Sequence, residues 1–377
     1  MKILHVVPTF YPATYWGGPI WSTKAICDGI AALPDVTLRV LTGDAAGPAI
    51  SDRVTPVPLP YPVHYARRIA GNCIAPGLLA RLPAAIAWAD VVHLTGTYNM
   101  PTLPTFVLAR LLGKPVVWSP RGALQATQDW AEAPNKRIKH SFERLAHVLR
   151  PDRSILHVTA EQEARQSRRR LADMAYAVIP NAVTVPPRQQ KAPPDGRCRL
   201  MFISRLHPKK GIEVLFDAMA RLPDRFTLDV YGTGDQTYVA GLQDQAARSA
   251  GRIRLHGHVE GAQKTAAFTG ADLFVLPSHS ENFGIVVAEA LAHGVPVLTT
   301  TATPWGAVEP HDCGRCVDLA QVDLAHEIAS LAACDLPAMG ERGRAWMVRD
   351  FSPAAMVASF EALYRELAAG SLAQVPA

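Results

Sequence analysis

Residues 272–298, DLFVLPSHSENFGIVVAEALAHGVPVL, contain a strand, a loop, a helix and a second strand in that order. Leu273–Leu276 is a short apolar run, which is typical of a buried strand. Residues 283–293 predict a helix that Gly294 and Pro296 bring to an end. Strand-like and helical runs of this kind alternate along the whole chain. The sequence therefore predicts an α/β fold of parallel sheets with helices on both faces.

The predicted strands form two series, separated by a segment with four prolines between Val185 and Gly196. Such a segment predicts a linker, and a chain of 377 residues is long enough for two domains. The first series is Ile3–Val7, Leu38–Leu41, Val91–Leu94, Val116–Trp118, Ile155–Val158 and Val178–Ile179. The second is Leu200–Ile203, Leu228–Tyr231, Ile253–Leu255, Leu273–Leu276 and Val295–Leu298.

We predict an N-terminal domain over residues 1–185, a linker over 186–197 and a C-terminal domain over 198–355. A last helix over 356–377 is expected to pack back on the N-terminal domain. Both domains are expected to be Rossmann-like, doubly wound sheets that face an interdomain cleft, the usual place for a substrate.

Composition excludes several classes of protein. The chain has no run of about 18 apolar residues, so no membrane span is expected. Met1–Val7 predicts a first buried strand, because Pro8 interrupts the apolar run too early for a signal peptide. The six cysteines are scattered, which is typical of reduced thiols in a cytoplasmic protein.

Glu281 and Glu289 flank the start of the predicted helix. Glu281 lies in the loop at the carboxyl end of a strand, where open parallel sheets bind ligands. The amides around Phe283 and Gly284 are expected to form a helix N-terminus that favours an anion such as a diphosphate. Carboxylates beside such a site would accept hydrogen bonds from hydroxyls, which indicates a nucleotide sugar. The alternative is a pair of ordinary surface glutamates, one of them favoured by the helix dipole.

A basic loop favours the same ligand. Arg205 and Lys210 follow the strand Leu200–Ile203, at the sheet edge where Glu281 is expected. A guanidinium and an ammonium group can neutralise a departing diphosphate without a metal ion. The chain has no Asp-x-Asp of the kind that holds a divalent ion in many sugar transferases, so we expect neither metal nor cofactor. The alternative is a solvated basic loop.

Two glycine pairs follow predicted strands. Gly17-Gly18 opens a helix after the first strand, and glycine there allows a backbone to approach a ligand closely. Gly232-Thr-Gly234 lacks the third glycine of a dinucleotide fingerprint and predicts a close loop beside a nucleotide base or ribose. A plain tight turn is the alternative for the first pair.

These residues together resemble the group 1 (family 4) glycosyltransferases with the GT-B fold. The resemblance rests on Glu281 with Glu289, Arg205 with Lys210, Gly17-Gly18 and Ile179-Pro-Asn-Ala-Val183. A branch that builds bacterial exopolysaccharide and O-antigen units on a lipid carrier shares three more motifs. They are Ser119-Pro-Arg-Gly122, Ser280-Glu-Asn-Phe-Gly284 and Thr303-Pro-Trp305.

The resemblance implies a retaining, metal-independent transfer from a UDP- or GDP-sugar to a sugar or a polyprenyl-diphosphate-linked oligosaccharide. It implies that Glu289 holds the ribose and that Glu281 lies near the donor sugar. It also places Arg205 and Lys210 on the diphosphate. The remaining donor contacts that it implies are Gly17, Gly18, Gly232, Asn282, Phe283 and Gly284.

Arg121 departs from the family pattern, since it stands at about the position where many relatives have a histidine that touches the donor sugar. Arginine cannot act as a base near neutral pH, but it can hold an acceptor phosphate or a sugar hydroxyl. We therefore expect Arg121 to bind and not to accept a proton.

A local excess of basic residues predicts a further partner. Residues 135–170 contain ten Lys or Arg and four Asp or Glu, a net charge of +6. Within residues 135–150 an apolar stripe at helical spacing lies beside basic positions; its members are Ile138, Phe142, Leu145 and Leu149. Such a helix can lie on an anionic membrane, which would place the protein on the inner face of the plasma membrane. The alternative is a helix whose stripe packs on its own domain. No nucleic-acid-binding motif appears.

Two other functions fit the same motifs. A sugar-nucleotide epimerase on the same fold would need no acceptor, and a nucleotide-sugar sensor would bind without turnover. A glycogen-synthase-like enzyme normally carries Lys-x-Gly-Gly, whereas Trp16 precedes Gly17 here.

Overall fold

The computed structural model describes residues 1–71, 73–125, 135–189 and 195–370. They form two compact units. The N-terminal unit is Met1–Ala182 together with the chain from Pro353 onwards, and the C-terminal unit is Val183–Ser352. Residues 190–194 of the predicted linker and residues 371–377 of the predicted last helix lie outside the described part.

The N-terminal unit is built on a seven-stranded, all-parallel sheet with the order β3-β2-β1-β4-β5-β6-β7. Its strands are β1 Lys2–Thr9, β2 Thr37–Gly43, β3 Val63–Ala66, β4 Val91–Thr95, β5 Val116–Ser119, β6 Ser154–Val158 and β7 Ala175–Val178. Its helices before the C-terminal unit are α1 Gly18–Ala31, α2 Pro76–Trp88, α3 Thr102–Leu111, α4 Lys136–Leu149 and α5 Glu161–Arg168, and a 3-10 turn covers Thr14–Trp16.

The sheet of the N-terminal unit is buried on both faces. Leu4 and Val6 of β1 belong to one hydrophobic core, and Ile3 and Val7 belong to the other. Alternate residues of a strand point to opposite faces, so a strand between two layers of helices is apolar at most positions. A polar residue there needs a buried partner, as His5 of β1 has in the Thr95 hydroxyl at 2.8 Å.

The C-terminal unit has a six-stranded parallel sheet with the order β10-β9-β8-β11-β12-β13. Its strands are β8 Cys198–Ile203, β9 Phe226–Tyr231, β10 Ile253–Gly257, β11 Leu273–Leu276, β12 Val297–Thr300 and β13 Gly314–Val317. Its helices are α6 Ile212–Arg221, α7 Gln236–Ala247, α8 Gly261–Thr269, α9 Ile285–Ala292, α10 Leu324–Leu331 and α11 Leu336–Asp350. Two 3-10 turns cover Pro208–Lys210 and Gly306–Val308.

The last helix, α12 (Pro353–Ala369), completes the core of the N-terminal unit. Phe360 and Tyr364 are fully buried in that core. α12 packs on α1 so closely that a Cβ atom at Gly29 would lie 2.2 Å from the Val357 Cγ2 atom. A helix that follows the C-terminal unit in the chain therefore belongs to the N-terminal unit.

Two strands were not predicted. β3 (Val63–Ala66) and β13 (Gly314–Val317) are short, only partly buried, and each is the last strand at an edge of its sheet. Edge strands need fewer apolar residues, so hydrophobic patterning does not reveal them. Among the described helices, none is both long and apolar enough to traverse a bilayer.

Candidate functional site

The predicted donor site of the C-terminal unit lies at the point where the strand order reverses. β8 pairs with β9 on one side and with β11 on the other, so the crevice between the loops after β8 and β11 is where an open α/β sheet binds ligands. Arg205 and Lys210 follow β8, and Glu281 follows β11. The His279 amide donates to the Lys209 carbonyl at 2.9 Å, which joins the two loops.

Lys210 and Glu281 form an ion pair between these loops. Only 12% of the Lys210 side chain and 11% of the Glu281 side chain are exposed. The Ser278 hydroxyl also donates to Glu281 Oε1, at 3.2 Å. Sequence reasoning assigned Lys210 to the diphosphate and Glu281 to the sugar independently. In the structure the two side chains also pair with each other, and both assignments stay predictions.

Gly211 explains how the basic loop comes so close to the loop after β11. It has φ +68° and precedes α6, and a Cβ atom there would lie 2.1 Å from the Pro277 carbonyl oxygen. A side chain at this position would push the two loops apart, so glycine is required for the contact that brings Lys210 to Glu281.

Arg205 is a basic residue of this crevice whose charge can be offered to a ligand. It is exposed, and in the described part of the chain it has no ion-pair partner. The N-terminus of α9 adds partial positive charge, because the first amides of a helix have no partner within it. An anion at the switch point would therefore meet Arg205 and the first turn of α9.

The predicted start of the helix was wrong by two residues. α9 begins at Ile285, because Gly284 adopts φ +68° and forms its N-cap. The free amides are therefore those of Gly284, Ile285 and Val286, not those around Phe283. A Cβ atom at Gly284 would lie 3.4 Å from the Trp305 indole nitrogen, so little room exists for a larger residue.

Phe283 anchors the loop in the core instead of contributing an amide to the helix. It is buried, its ring lies 5.3 Å from that of Trp305, and the Trp305 indole donates to the Phe283 carbonyl at 2.5 Å. Trp305 thus holds the loop that carries Glu281, which gives the Thr303-Pro-Trp305 motif a structural reason. Asn282, beside it, has a buried Oδ1 atom without a partner among the described residues.

Glu289 lies on α9 and is held by Lys264 of α8. The Lys264 ammonium donates to Glu289 Oε1 at 2.6 Å. The other oxygen, Oε2, is buried and has no hydrogen-bond partner within the described ranges. It therefore remains able to accept a hydroxyl, as the predicted contact with a ribose requires. Sequence reasoning missed Lys264, since a single lysine in a helix carries no motif.

Gly232 is a glycine for reasons of packing. Its φ is +137°, and a Cβ atom would lie 1.8 Å from the Ser204 carbonyl oxygen. A Cβ atom at Gly234 would lie 2.1 Å from the Leu206 carbonyl oxygen. The close approach is therefore to the loop after β8, and a contact between Gly232 and a nucleotide stays a prediction.

Gly17 and Gly18 lie in the N-terminal unit between the Thr14–Trp16 turn and α1. Gly17 has φ +73° and caps α1, with Pro19 in the first turn. No atom lies within 4 Å of a Cβ built on either glycine. The space above them is open, which suits the predicted close approach of a ligand to this backbone.

Arg121 also lies in the N-terminal unit, after β5, with an unusual φ of +54°. Its Nη1 atom donates to Asn181 Oδ1 at 3.0 Å. Its Nε and Nη2 atoms are buried and have no partner among the described residues. Burial lowers the pKa of Arg121 to about 10, so the group stays charged at neutral pH. Buried donors without partners are costly, which fits a residue that binds an anion or a hydroxyl.

Glu163 supports the loop that carries Arg121. It is buried, and its Oε1 atom accepts from the Gly122 amide at 2.7 Å. Its Oε2 atom accepts from the amide and the hydroxyl of Thr159, both at 2.8 Å. Sequence reasoning did not find this residue, because its contact with Gly122 joins it to another loop.

His5, His93 and His157 are buried in the same unit, and the hydrogen bonds of His93 and His157 indicate where their protons lie. The Ile179 carbonyl can only accept, so His157 donates to it from Nε2, at 2.9 Å. His157 Nδ1 must then accept from the Ser119 hydroxyl, at 2.6 Å. Ser119 in turn accepts from His93 Nε2 at 2.6 Å, and His93 Nδ1 accepts from the Tyr364 hydroxyl at 2.6 Å.

This one-directional chain requires neutral imidazoles. Burial, assisted by the nearby Arg121 charge, lowers the pKa of His157 and His5 to about 3. Burial also lowers the pKa of His93 well below its ordinary value. His93 is therefore a structural residue that ties α12 to β4 and β5.

The basic helix α4 does not pack as its apolar stripe suggested. Ile138 is 69% exposed and Leu145 is 46% exposed. Phe142 and Leu149 are partly buried against the core, as expected. The stripe therefore lies half on the core and half at the surface.

A buried polar contact determines which face of α4 is turned toward the core. Glu143 is buried and forms an ion pair with Arg170, and it also accepts from the Tyr98 hydroxyl. Turning Glu143 inward moves Ile138 and Leu145 outward. No pattern in the sequence of α4 shows that a glutamate on the helix has a partner elsewhere.

Part of the chain matches a known family. Residues 197–334 match the model of the family described as glycosyl transferases group 1. Over 164 residues the chain is 32% identical to the phosphatidyl-myo-inositol mannosyltransferase of Mycobacterium tuberculosis, which covers 41% of this chain and 43% of that protein. The chain spans less than half the length of this relative.

Solved structures resemble the whole chain. Anabaena Alr3699/HepE in complex with UDP has a TM-score of 0.73 at 18% identity and covers 97% of this chain and 100% of that chain. The apo form of the lipopolysaccharide outer core galactosyltransferase WaaB has a TM-score of 0.70 at 13% identity, over 97% of this chain and 100% of that chain. At such identities the likeness concerns the fold, and it extends over both units.

Proposed function

We propose that this chain, which has the GT-B fold, is a group 1 glycosyltransferase that transfers a hexosyl residue from a nucleoside diphosphate sugar to a saccharide acceptor. One observation carries the proposal. At the switch point of the C-terminal sheet, Arg205 and Lys210 follow β8, and Glu281, which pairs with Lys210, lies between β11 and the N-terminus of α9. Their chemistry suits a diphosphate with hydroxyl-bearing groups on both sides.

The charge of this site supports a transfer without a metal ion. Arg205 and the α9 amides would stabilise the negative charge that grows on the departing diphosphate, an effect that usually dominates such reactions. When the donor binds, Lys210 would turn part of its hydrogen bonding to the phosphate, and Glu281 would accept from a sugar hydroxyl. The paired state keeps both side chains in place until then.

The proposed step retains the anomeric configuration. The bond between the anomeric carbon and the diphosphate oxygen breaks, and a bond from the acceptor oxygen forms on the same face of the sugar. The acceptor proton moves to the departing phosphate oxygen, so no protein nucleophile is needed. Arg121 would hold an acceptor phosphate or hydroxyl with its unpaired guanidinium atoms.

We propose UDP- or GDP-sugars as donors and a sugar or a polyprenyl-diphosphate-linked oligosaccharide as acceptor. The structure of HepE contains UDP, which supports trying uridine donors first. WaaB is named for the lipopolysaccharide outer core, which supports an acceptor of the bacterial surface-polysaccharide class. Exopolysaccharide or lipopolysaccharide synthesis is the pathway class that we propose.

The exposed face of α4 supports a peripheral position on an anionic membrane. Ile138 and Leu145 lie at the surface, and Leu111 of the neighbouring helix α3 is 77% exposed. Lys136 and Arg137 are exposed on the same helix. Apolar side chains flanked by basic ones bind anionic bilayers, each basic residue adding about 1 kcal/mol.

The test is to incubate the purified protein with a panel of UDP-, GDP- and ADP-sugars, with and without bacterial membrane extract. Free nucleoside diphosphate together with a glycosylated lipid would support transfer, and NMR of the new linkage would report its configuration. A changed sugar on an intact diphosphate would indicate the epimerase instead. Binding with no turnover of any donor would indicate a sensor and contradict the proposal.

A further inference from the structure

Three aromatic side chains are exposed in the turn after β1 and the first turn of α1. Tyr15 is 66% exposed, Trp16 is 41% exposed and Trp21 is 52% exposed. In the described part of the chain, every Phe, Tyr or Trp side chain that is more than 40% exposed lies within residues 15–21. Large exposed apolar groups that cluster in this way mark a surface that binds something.

The loop that carries them is rigid. Phe10, Ala13 and Ile20 are buried beneath it. The Gly17 amide donates to the Thr14 carbonyl at 2.9 Å, and the Ile20 amide donates to the Gly17 carbonyl at 3.1 Å. A surface fixed in this way loses little conformational freedom when a ligand binds.

The rings offer flat faces at different angles. The rings of Tyr15 and Trp16 are 5.2 Å apart and nearly perpendicular, at 88°. The rings of Tyr11 and Trp21 are 5.4 Å apart and inclined at 54°. Because neither pair is stacked face to face, each leaves a ring face open to a ligand.

The segment that carries these rings is uncharged. Residues 4–23 contain no Lys, Arg, Asp or Glu. Lys24 lies 5.1 Å from the centre of the Tyr11 ring and forms an ion pair with Asp28 at 2.5 Å. The expected ligand is therefore uncharged at the point of contact. An anionic membrane would be bound better by the basic face of α4.

The position of the cluster matches that of a ligand site. β1 pairs with β2 on one side and with β4 on the other, so the loop after β1 lies at the switch point of the N-terminal sheet. Gly17 and Gly18, with open space above them, separate Trp16 from Trp21.

We infer that Tyr15, Trp16 and Trp21 form a stacking platform for a neutral hexopyranose ring of the acceptor saccharide. One face of such a ring carries C–H groups that pack on an aromatic face, while its hydroxyls remain in water. Tyrosine and tryptophan also keep a polar atom at the ring edge for hydrogen bonds. The inference rests on the proposed function, because it assigns the platform to the acceptor of that reaction.

The test measures binding without any donor. The full-length protein is titrated with maltotriose, cellotriose and α-mannotriose, and binding is followed by tryptophan fluorescence and by saturation-transfer NMR. We expect at least one trisaccharide to bind, and W16A and W21A to weaken it about tenfold, the effect of removing one aromatic contact. W21F, which keeps a ring, should lose less. I50A, another exposed apolar residue of the same unit, serves as the control.

The inference is overturned if no trisaccharide binds, or if W16A and W21A bind as tightly as the unmodified protein. It is also overturned if these variants lose binding to phosphatidylglycerol vesicles while saccharide binding is unchanged, since the cluster would then be a membrane contact. Turnover of the donor panel is measured separately. Saccharide binding without transfer would contradict the proposed function but support the platform. Transfer without saccharide binding would support the proposed function but overturn the platform.

Discussion

The two units have the same kind of parallel sheet but handle charge in opposite ways. In the C-terminal unit two ion pairs hold residues of the predicted donor site, Lys210 with Glu281 and Lys264 with Glu289. In the N-terminal unit the polar groups inside the sheet are neutral histidines and hydroxyls joined in one direction. The first arrangement can exchange partners with a charged ligand. The second holds the backbone in place, and protonation of its histidines in acid disrupts it.

The largest expected effect is on stability in acid. Unfolded histidine has its ordinary pKa of 6.5, whereas folded His5 and His157 have pKa values of about 3. Below pH 6.5 the unfolded chain therefore binds protons that the folded unit does not bind until about pH 3. The stability of the N-terminal unit should fall as the pH falls through this window, by ~1.4 kcal/mol per histidine and pH unit.

Hydrogen exchange measured by mass spectrometry at pH values from 7 to 4, corrected for the intrinsic exchange rate, checks this prediction. Peptides from β4 and β6 should lose protection before peptides from β8 and β11. The C-terminal unit is the internal control. Equal loss in both units, or earlier loss in the C-terminal unit, would contradict it.

The next effect concerns the ion pair between the loops of the C-terminal unit. K210A should lower turnover by ~10²-fold or more, since it removes a charge contact to the diphosphate. It should also destabilise the protein by ~3 kcal/mol, because Glu281 would be left as a largely buried charge without its partner. Replacing both residues, as K210M with E281Q, should restore the stability but not the turnover.

Initial rates measure the effect on turnover, and thermal unfolding measures the effect on stability. Both are recorded for the unmodified protein, K210A and the K210M/E281Q double variant. R221A is the matched control, because Arg221 and Asp323 form an ion pair of the same unit that is about half exposed. Turnover of K210A near that of R221A would remove Lys210 from the reaction.

A smaller effect is expected at α4 in the N-terminal unit. I138D with L145D should weaken binding to vesicles that contain phosphatidylglycerol by about tenfold, because each change replaces an apolar contact with a like charge for the lipid. Cosedimentation measures this. V348D, on the exposed face of the C-terminal unit, should have no effect. Equal binding by all three proteins would leave α4 as an ordinary solvated helix.

The smallest expected effect is at the second ion pair of the C-terminal unit. Lys264 and Glu289 are more exposed than the first pair, so their interaction is worth less. K264Q should raise the KM for the donor about fivefold with little change in kcat, since the pair positions Glu289 for a ribose hydroxyl. A fall in kcat with unchanged KM would place Lys264 in the chemical step instead.

The sequence predicted most strands because a strand covered on both faces is apolar at most of its positions. Leu273–Leu276 coincides with β11 for that reason. The start of α9 was predicted two residues too early, because the sequence around Gly284 does not indicate that this residue adopts a positive φ. β3 and β13 were missed because edge strands carry a weaker apolar pattern.

The candidate site was predicted as a set of residues but not as a set of partners. Lys210 and Glu281 were both named, yet their pairing joins positions 71 residues apart and follows from the order of β8 and β11 in the sheet. Glu143 was not singled out, and its contact with Arg170 changes which side of α4 meets water. Periodicity within one helix cannot report a partner on another element.

The place of α12 has a consequence for synthesis on the ribosome. Its residues, including Tyr364 at the head of the histidine chain, fill the core of the N-terminal unit. The C-terminal unit is continuous from Val183 to Ser352, whereas the N-terminal unit needs residues made after it. The half of the protein that leaves the ribosome first is therefore the half that completes its folding last, and its apolar sheet must wait for α12 to cover it.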